Sequence, residues 1–229
     1  MLALVGSGEY LPPMETVDRF LIGRLPGPAR VACLPTAAGT EGPGRIGYWN
    51  DLGMKHFSEL GAQVEAVPVI DRASADDPAL AARIRNANFV YLSGGRPDYL
   101  YQTLNGSLAW EAIQAVLAEG GVLAGCSAGA MVMGERIAGF LRPSPAFGLL
   151  PGAVIIPHYD EVPEWVVRGL KPLAAGGLTV YGIPAYTALV VDQHNLPQVS
   201  EPAVGSFQVV GRGPVTVWGK DGRQRIFKD

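Results

Sequence analysis

Short apolar runs alternate with longer amphipathic segments over about the first 140 residues of the chain. The apolar runs are mostly bounded by Gly or Pro, which is typical of strands buried on both faces of a sheet. These runs lie at residues 2–5, 31–34, 64–69, 89–92 and 121–124. Helical patterns separate them at residues 15–21, 45–60, 78–86 and 107–119. This alternation predicts an α/β fold, a three-layer sandwich in which helices flank a mostly parallel central sheet.

The pattern changes after about residue 140, where Pro and Gly become frequent and the long helical patterns end. Short apolar runs continue at residues 153–156, 179–183, 188–191, 208–210 and 215–218. We expect them to add an antiparallel C-terminal edge to the sheet, with Gly211, Arg212 and Gly213 forming a hairpin turn between the last two runs. Because the sequence has no internal repeat, low-complexity tract or linker, one domain over residues 1–229 is the simplest interpretation.

The composition and net charge of the chain indicate which classes of protein can be excluded. The chain has 229 residues, of which 48% are hydrophobic and 17% charged, and this balance is typical of a well-packed globular protein. The formal net charge is −3 and the basic residues are scattered, so we expect no nucleic-acid partner and no membrane association. Both cysteines, Cys33 and Cys126, lie in apolar runs. Two buried thiols and the lack of a signal-peptide pattern favour a cytoplasmic location.

The motif that carries chemistry is GCSAG at residues 125–129, which matches G-x-S-x-G. It follows the apolar run at residues 121–124 and precedes a helical pattern at residues 130–137, the strand–turn–helix context of a nucleophile elbow. Small neighbours suit the strained backbone of such a turn, and a helix that begins behind the serine points N–H groups at a developing oxyanion. Ser127 is therefore the predicted nucleophile. Cys126 is the rival, but its place on the strand side of the turn predicts a buried thiol.

A serine hydroxyl needs an adjacent base, and the chain has three histidines. His56 lies on a helical pattern upstream of the motif and is predicted to be a surface or packing residue. His158 follows an apolar run at the point where a strand is expected to end, and Asp160 and Glu161 come just after it. His194 lies in a polar segment that is predicted to be a turn. His158 is the predicted base, with His194 as the alternative.

Five segments together carry a resemblance to a known family. They are a glycine pair at residues 94–95, GCSAGAM at 125–131, IPHYD at 156–160, VACLPTAAG at 31–39 and GIPAYTALVV at 182–191. In this combination the chain resembles the peptidase E and cyanophycinase family of serine peptidases, which has the class I glutamine-amidotransferase-like fold. The resemblance extends from about residue 2 to about residue 218.

The resemblance implies specific roles. Ser127 would be the nucleophile and His158 the base, and the backbone N–H groups of Gly95 and Ala128 would form the oxyanion hole. It also implies cleavage of peptide bonds, often beside an acidic residue, without a metal or an organic cofactor. Arg96 stands where relatives often carry a small or amide residue, which leaves the substrate preference open.

The orienting acid is the least determined part of the site. Many relatives carry acids in the segment matching residues 182–186, but this chain reads GIPAY there. Asp160 ranks first because it matches the His-x-acid spacing of amidotransferase relatives, and residues two apart in a strand share a face. If the strand ends at the preceding proline, a turn brings Glu161 towards His158 instead. Glu135, shortly after the serine motif, is the third candidate.

Four functions remain to be compared. The first is a serine peptidase that hydrolyses small peptides as a dipeptidase or exopeptidase. An esterase of the α/β-hydrolase type places its histidine later in the chain, after the acid. An amidotransferase needs cysteine at the position of Ser127. A catalytically weak or inactive amidotransferase-like protein that binds a small molecule stays open because the family acids are missing. The expected partner is a small peptide substrate, and a homodimer is left open.

Overall fold

The computed structural model of the protein describes residues 1–139, 142–167, 169, 176–192 and 207–228. The strands are β1 Leu2–Val5, β2 Arg30–Leu34, β3 Gln63–Ala66, β4 Phe89–Leu92, β5 Val122–Cys126, β6 Arg136–Ile137, β7 Ser144–Pro145, β8 Ala153–Ile156, β9 Thr179–Gly182, β10 Thr187–Val191, β11 Phe207–Gly211, β12 Val215–Trp218 and β13 Gln224–Phe227. The helices described in full are α1 Glu15–Ile22, α2 Pro43–Glu59, α3 Arg72–Ala75, α4 Pro78–Arg85, α5 Pro97–Leu104, α6 Leu108–Ala118 and α7 Ala128–Met131. Within these described ranges, no helix combines the length and apolar character needed to cross a membrane.

The central sheet has seven strands in the order β11-β10-β1-β5-β4-β2-β3. Its first five strands in the sequence run parallel to one another, and β10 and β11 are added antiparallel at one edge. The predicted mostly parallel sheet with an antiparallel C-terminal edge is therefore confirmed.

Both faces of this sheet are covered, and β1 shows how. Leu2 and Leu4 belong to the hydrophobic core on the side of α4 and α6. Ala3 and Val5, which alternate with them, belong to the core on the side of α1 and α2. Successive side chains in a strand point to opposite faces, so a strand between two helical layers must be apolar throughout. The predicted three-layer arrangement is confirmed.

A second sheet takes up most of the C-terminal runs, in the order β13-β12-β9-β8-β6-β7. The predicted hairpin at Gly211, Arg212 and Gly213 is wrong, because β11 pairs with β10 in the central sheet while β12 pairs with β9 in the second sheet. Between these two apolar runs the chain leaves the central sheet and enters the second sheet. Gly211 takes φ 124° there, and a Cβ at this position would clash with the Tyr186 carbonyl.

The predicted helix at residues 130–137 is also wrong in its length. α7 ends at Met131, and β6 begins five residues later at Arg136. Between them the Glu135 backbone N–H donates to the Ala153 carbonyl at 2.8 Å. A Cβ on Gly134 would lie 2.7 Å from the same oxygen, so the start of β8 approaches too closely for a continued helix. Tertiary pairing overrides the local helical pattern here.

Candidate active site

The carboxyl ends of three neighbouring strands bring the candidate residues to one edge of the central sheet. Val5 at the end of β1 lies opposite Cys126 in β5, and Leu92 at the end of β4 lies opposite Gly125. The residues that follow these strands therefore sit side by side. Sites in open α/β sheets collect at this edge, where loops leave parallel strands in the same direction.

Ser127 occupies a strained turn between β5 and α7. Its φ of 50° and ψ of −107° lie outside the regions that ordinary residues favour, which costs about 1–3 kcal/mol. Its backbone N–H donates to the Val5 carbonyl at 3.0 Å. A Cβ on Gly125 would clash with the Gly129 carbonyl, and one on Gly129 would clash with the Leu92 carbonyl. The glycines of the motif are therefore required by close backbone contacts on both sides of Ser127.

His158 faces Ser127 from the loop that follows β8. Its Nε2 lies 3.3 Å from the Ser127 Oγ. With the ring proton on Nδ1, Nε2 can accept the serine proton. His158 itself has φ 50°, and its backbone N–H donates to the Gly6 carbonyl at 3.4 Å. The strand has ended at Pro157, and this turned backbone directs the imidazole towards the serine.

The carboxylate beside the outer ring nitrogen belongs to Glu161. Its Oε2 lies 3.5 Å from the His158 Nδ1. The Glu161 backbone N–H donates to the His158 carbonyl at 2.9 Å, so the two residues are the ends of one tight turn. The His158 side chain is 42% exposed and that of Glu161 66%. This pair is solvated, unlike a buried acid that locks an imidazole in place.

Asp160 is held elsewhere, and it makes no ion pair with His158. Its Oδ1 accepts a hydrogen bond from the Ala185 backbone N–H at 2.8 Å. The expectation that Asp160 and His158 share a strand face does not fit this geometry, because the positive φ of His158 breaks the strand before Asp160. Asp160 instead joins the turn after β8 to the segment that follows β9.

Glu135 lies at the far end of β8 from His158. Its Oε2 accepts a hydrogen bond from the Gly152 backbone N–H at 2.7 Å, and Gly152 immediately precedes β8. His158 follows the other end of this strand, about 13 Å further along at 3.3 Å per residue. The structure therefore does not bring Glu135 to the imidazole.

Two backbone N–H groups follow the strands that end at this edge. Neither the Gly95 N–H nor the Ala128 N–H has a hydrogen-bond acceptor among the described residues. Gly95 has φ 142°, and a Cβ there would lie 2.5 Å from the Ala37 carbonyl oxygen, so only glycine fits. Since α7 has four residues, any oxyanion stabilisation rests on individual N–H groups more than on a helix dipole.

Glu9 is part of this site and was not predicted from the sequence. It follows β1 and is 6% exposed. Its Oε2 accepts a hydrogen bond from the Cys126 Sγ at 2.8 Å. Burial, and then the nearby Glu9 carboxyl, raise the pKa of the Cys126 thiol well above its ordinary value. Cys126 is therefore a protonated thiol that donates to Glu9, and only its burial was expected from its place in the motif.

His56 is paired with a buried acid away from this site. The His56 Nε2 lies 2.8 Å from Asp18 Oδ2, and both side chains are buried in the layer of α1 and α2. His194 lies outside the described residues. Within the described part of the chain, no group of three or more His, Cys, Asp or Glu side chains is placed to hold a metal ion.

Comparison with known families identifies the family of the chain. The family model of Peptidase family S51 matches residues 2–199. The chain belongs to peptidase family S51. The resemblance to peptidase E drawn from the sequence is confirmed, and the S51 protein is a serine-type peptidase, a hydrolase.

Several proteins that are similar to this S51 peptidase are themselves named as peptidases. The uncharacterized peptidase Lmo0363 of Listeria monocytogenes is 24% identical over 173 residues, covering 70% of this chain and 81% of that protein. The uncharacterized peptidase Lin0382 of Listeria innocua is 29% identical over 143 residues, covering 58% of this chain and 66% of that protein. The crystal structure of a peptidase from an acI-B1 actinobacterium has a TM-score of 0.81 and 32% identity, covering 100% of this chain and 94% of that one.

A further solved structure supports the fold alone. A putative peptidase E protein from Listeria monocytogenes has a TM-score of 0.60 and 23% identity, covering 82% of this chain and 92% of that one. At this identity the likeness concerns the arrangement of helices and strands, not the substrate.

Proposed function

We propose that this S51 peptidase hydrolyses small peptides through Ser127 as nucleophile and His158 as general base. The observation that carries the proposal is the 3.3 Å contact between the Ser127 Oγ and the His158 Nε2. A serine in a strained turn with an imidazole at this distance is the arrangement that activates an otherwise weak nucleophile. Contacts of this kind are often long in unliganded sites and shorten when substrate binds.

The proposed reaction has two stages. The Ser127 Oγ bonds to the carbonyl carbon and its proton moves to the His158 Nε2, while the Gly95 and Ala128 N–H groups stabilise the oxyanion. The carbon–nitrogen bond then breaks as His158 donates that proton to the leaving amine. Water, deprotonated by His158, attacks the acyl carbon. The bond to the Ser127 Oγ then breaks as His158 donates the proton to that oxygen, which releases the second product and restores the serine hydroxyl.

Glu161, in place of Asp160, is proposed as the acid that interacts with the imidazole. Its position 3.5 Å from Nδ1 favours the imidazolium that forms during the reaction. Because both side chains are solvent-exposed, its contribution is proposed to be electrostatic and small. Asp160 is proposed to support the site indirectly through its hydrogen bond to Ala185.

The substrate is proposed to be a dipeptide or another short peptide with an acidic residue beside the cleaved bond. Arg96 supports this preference, because it is exposed and immediately follows Gly95, a proposed oxyanion donor. A carboxylate beside the cleaved bond would lie in the field of this cation. A cytoplasmic location and a single domain over residues 1–229 are proposed with it.

The test is an incubation of the purified protein with a mixed dipeptide library, with longer peptides and p-nitrophenyl acetate in parallel. Mass spectrometry of the products identifies the cleaved bonds, and Ser127→Ala gives the background. We expect cleavage of dipeptides, fastest beside Asp or Glu, and none with the variant. Hydrolysis of the ester alone would favour an esterase. Binding of dipeptides without turnover would favour a small-molecule-binding protein and overturn the proposal.

A further inference from the structure

Glu9 is a buried carboxyl group whose two oxygens have different partners. Its Oε1 accepts a hydrogen bond from the Gly94 backbone N–H at 2.8 Å. Its Oε2 accepts one from the Cys126 Sγ, also at 2.8 Å. A carboxyl group removed from water needs such donors. Here the donors lie at the carboxyl ends of two neighbouring strands, Gly94 in the loop after β4 and Cys126 as the last residue of β5.

Each partner of Glu9 immediately precedes a residue of the proposed machinery. Gly94 precedes Gly95, and Cys126 precedes Ser127. A Cβ on Gly94 would lie 2.8 Å from the Glu9 Oε1 and 3.5 Å from the Ser127 Cβ. The Gly94 backbone is thus packed between the buried carboxyl group and the serine, with no space for a side chain.

We infer that Glu9 is a positioning residue that fixes the distance between the Gly95 loop and the turn of Ser127, and hence between the two proposed oxyanion donors. This inference rests on the proposed function. Donors must lie within a few tenths of an ångström of their ideal distance from the oxyanion. Gly95 lies in the loop after β4 and Ala128 begins α7, so their spacing depends on what joins that loop to the turn of Ser127. Glu9 joins them with one hydrogen bond to each.

Other contacts hold the Gly95 loop to the opposite side of the site. The Ser93 N–H donates to the Leu34 carbonyl at 3.1 Å, and the Arg96 N–H donates to the Ala37 carbonyl at 2.9 Å. These bonds join the loop to β2 and the segment that follows it. They are independent of Glu9, so the loop is expected to stay folded without the carboxyl group. What changes is its spacing from Ser127.

The test uses Glu9→Gln and a rhodamine-tagged fluorophosphonate, which needs no knowledge of the natural substrate. The Ser127 Oγ bonds to phosphorus, fluoride leaves, and the serine proton passes to His158, while the phosphoryl oxygen takes the oxyanion position. The amide carbonyl can still accept from Gly94, but its NH2 group then faces the Cys126 sulfur, so the S–H···O bond is lost and only a weak N–H···S contact can replace it. Glu111→Gln, an exposed acid on α6, is the matched control.

We expect Glu9→Gln to lower the second-order labelling rate about ten- to a hundredfold, the scale expected for a misplaced group. Its thermal midpoint should stay within a few degrees of the wild type, and Glu111→Gln should label at the wild-type rate. On any dipeptide that the wild type cleaves, the loss should appear in kcat, with KM changed less than about twofold, because the oxyanion forms only in the transition state. A general packing defect would not lower kcat while leaving KM nearly unchanged.

The outcomes separate the inference from the proposed function. If the wild type is not labelled at Ser127, the proposed function fails. If the wild type is labelled and a folded Glu9→Gln variant labels equally fast, the inference fails and the proposed function stands. Should Glu9→Gln not fold, Cys126→Ala removes the donor on the serine side alone. We expect it to slow labelling several-fold, and labelling at the wild-type rate would overturn the inference.

Discussion

Replacing Glu161 by Gln removes the carboxylate that lies 3.5 Å from the His158 Nδ1 and keeps nearly the same volume. The pair is solvated on both sides, with exposed fractions of 42% and 66% for the two side chains. Ion pairs of this kind contribute about 0.2–1 kcal/mol. Since about 1.4 kcal/mol corresponds to a tenfold change in rate, we expect kcat/KM to fall about 1.4- to 5-fold. A buried triad acid would give a loss of about 10⁴-fold.

Asp160→Asn is the matched control, because it makes the same chemical change one residue away. The Asp160 side chain accepts from the Ala185 N–H, and an amide carbonyl can accept the same bond. We therefore expect kcat/KM to stay within about twofold of the wild type, with at most a small loss of stability because a charged acceptor becomes neutral.

The assay is kcat/KM on a cleaved dipeptide at low salt and at 1 M salt. At 1 M salt the screening length falls to about 3 Å, so the deficit of Glu161→Gln should shrink while Asp160→Asn stays unchanged. A loss of a hundredfold or more in Asp160→Asn, with Glu161→Gln near the wild type, would refute this interpretation. It would restore the ranking made from the sequence.

Two further predictions concern histidines and the acid paired with one of them. His158→Ala should reduce peptide turnover at least about a thousandfold and His194→Ala less than about twofold, as measured by product release, and the reverse ranking would reopen the esterase hypothesis. Burial raises the pKa of Asp18 above its usual 3.8, although the hydrogen bond from His56 opposes this. The stabilisation from Asp18 is therefore fully present below the unfolded pKa and is lost as pH rises through the raised pKa. Asp18→Asn should remove this fall in urea-derived unfolding free energies, and identical pH profiles for variant and wild type would contradict the prediction.

The central sheet and the turn of Ser127 can be predicted from the sequence because both depend on local sequence patterns. A strand such as Phe89–Leu92 is apolar throughout since helices cover both of its faces, and its predicted bounds match. The G-x-S-x-G motif is recognisable because the turn requires small residues, and the close backbone contacts of Gly125 and Gly129 explain that requirement. The antiparallel edge was also predicted, although the division of its strands between two sheets was not.

The remaining features depend on contacts that sequence spacing does not reveal. Whether Asp160 or Glu161 approaches His158 depends on one backbone torsion, the φ of 50° at His158. The partners of Glu9 lie 85 and 117 residues away along the chain, and its one sequence signal is an acid just beyond a buried strand. The pairing of β11 and β12 with different sheets is likewise decided by tertiary contacts, since local alternation is the same in both cases.

The most direct test of the central claim is to map the covalent adduct formed with a fluorophosphonate by peptide mass spectrometry. We predict a single adduct on Ser127 in the wild type and no adduct in Ser127→Ala, with Cys126 unmodified because its thiol is buried. An adduct on another residue, or equal labelling of Ser127→Ala, would contradict the claim that Ser127 is the nucleophile of this S51 peptidase.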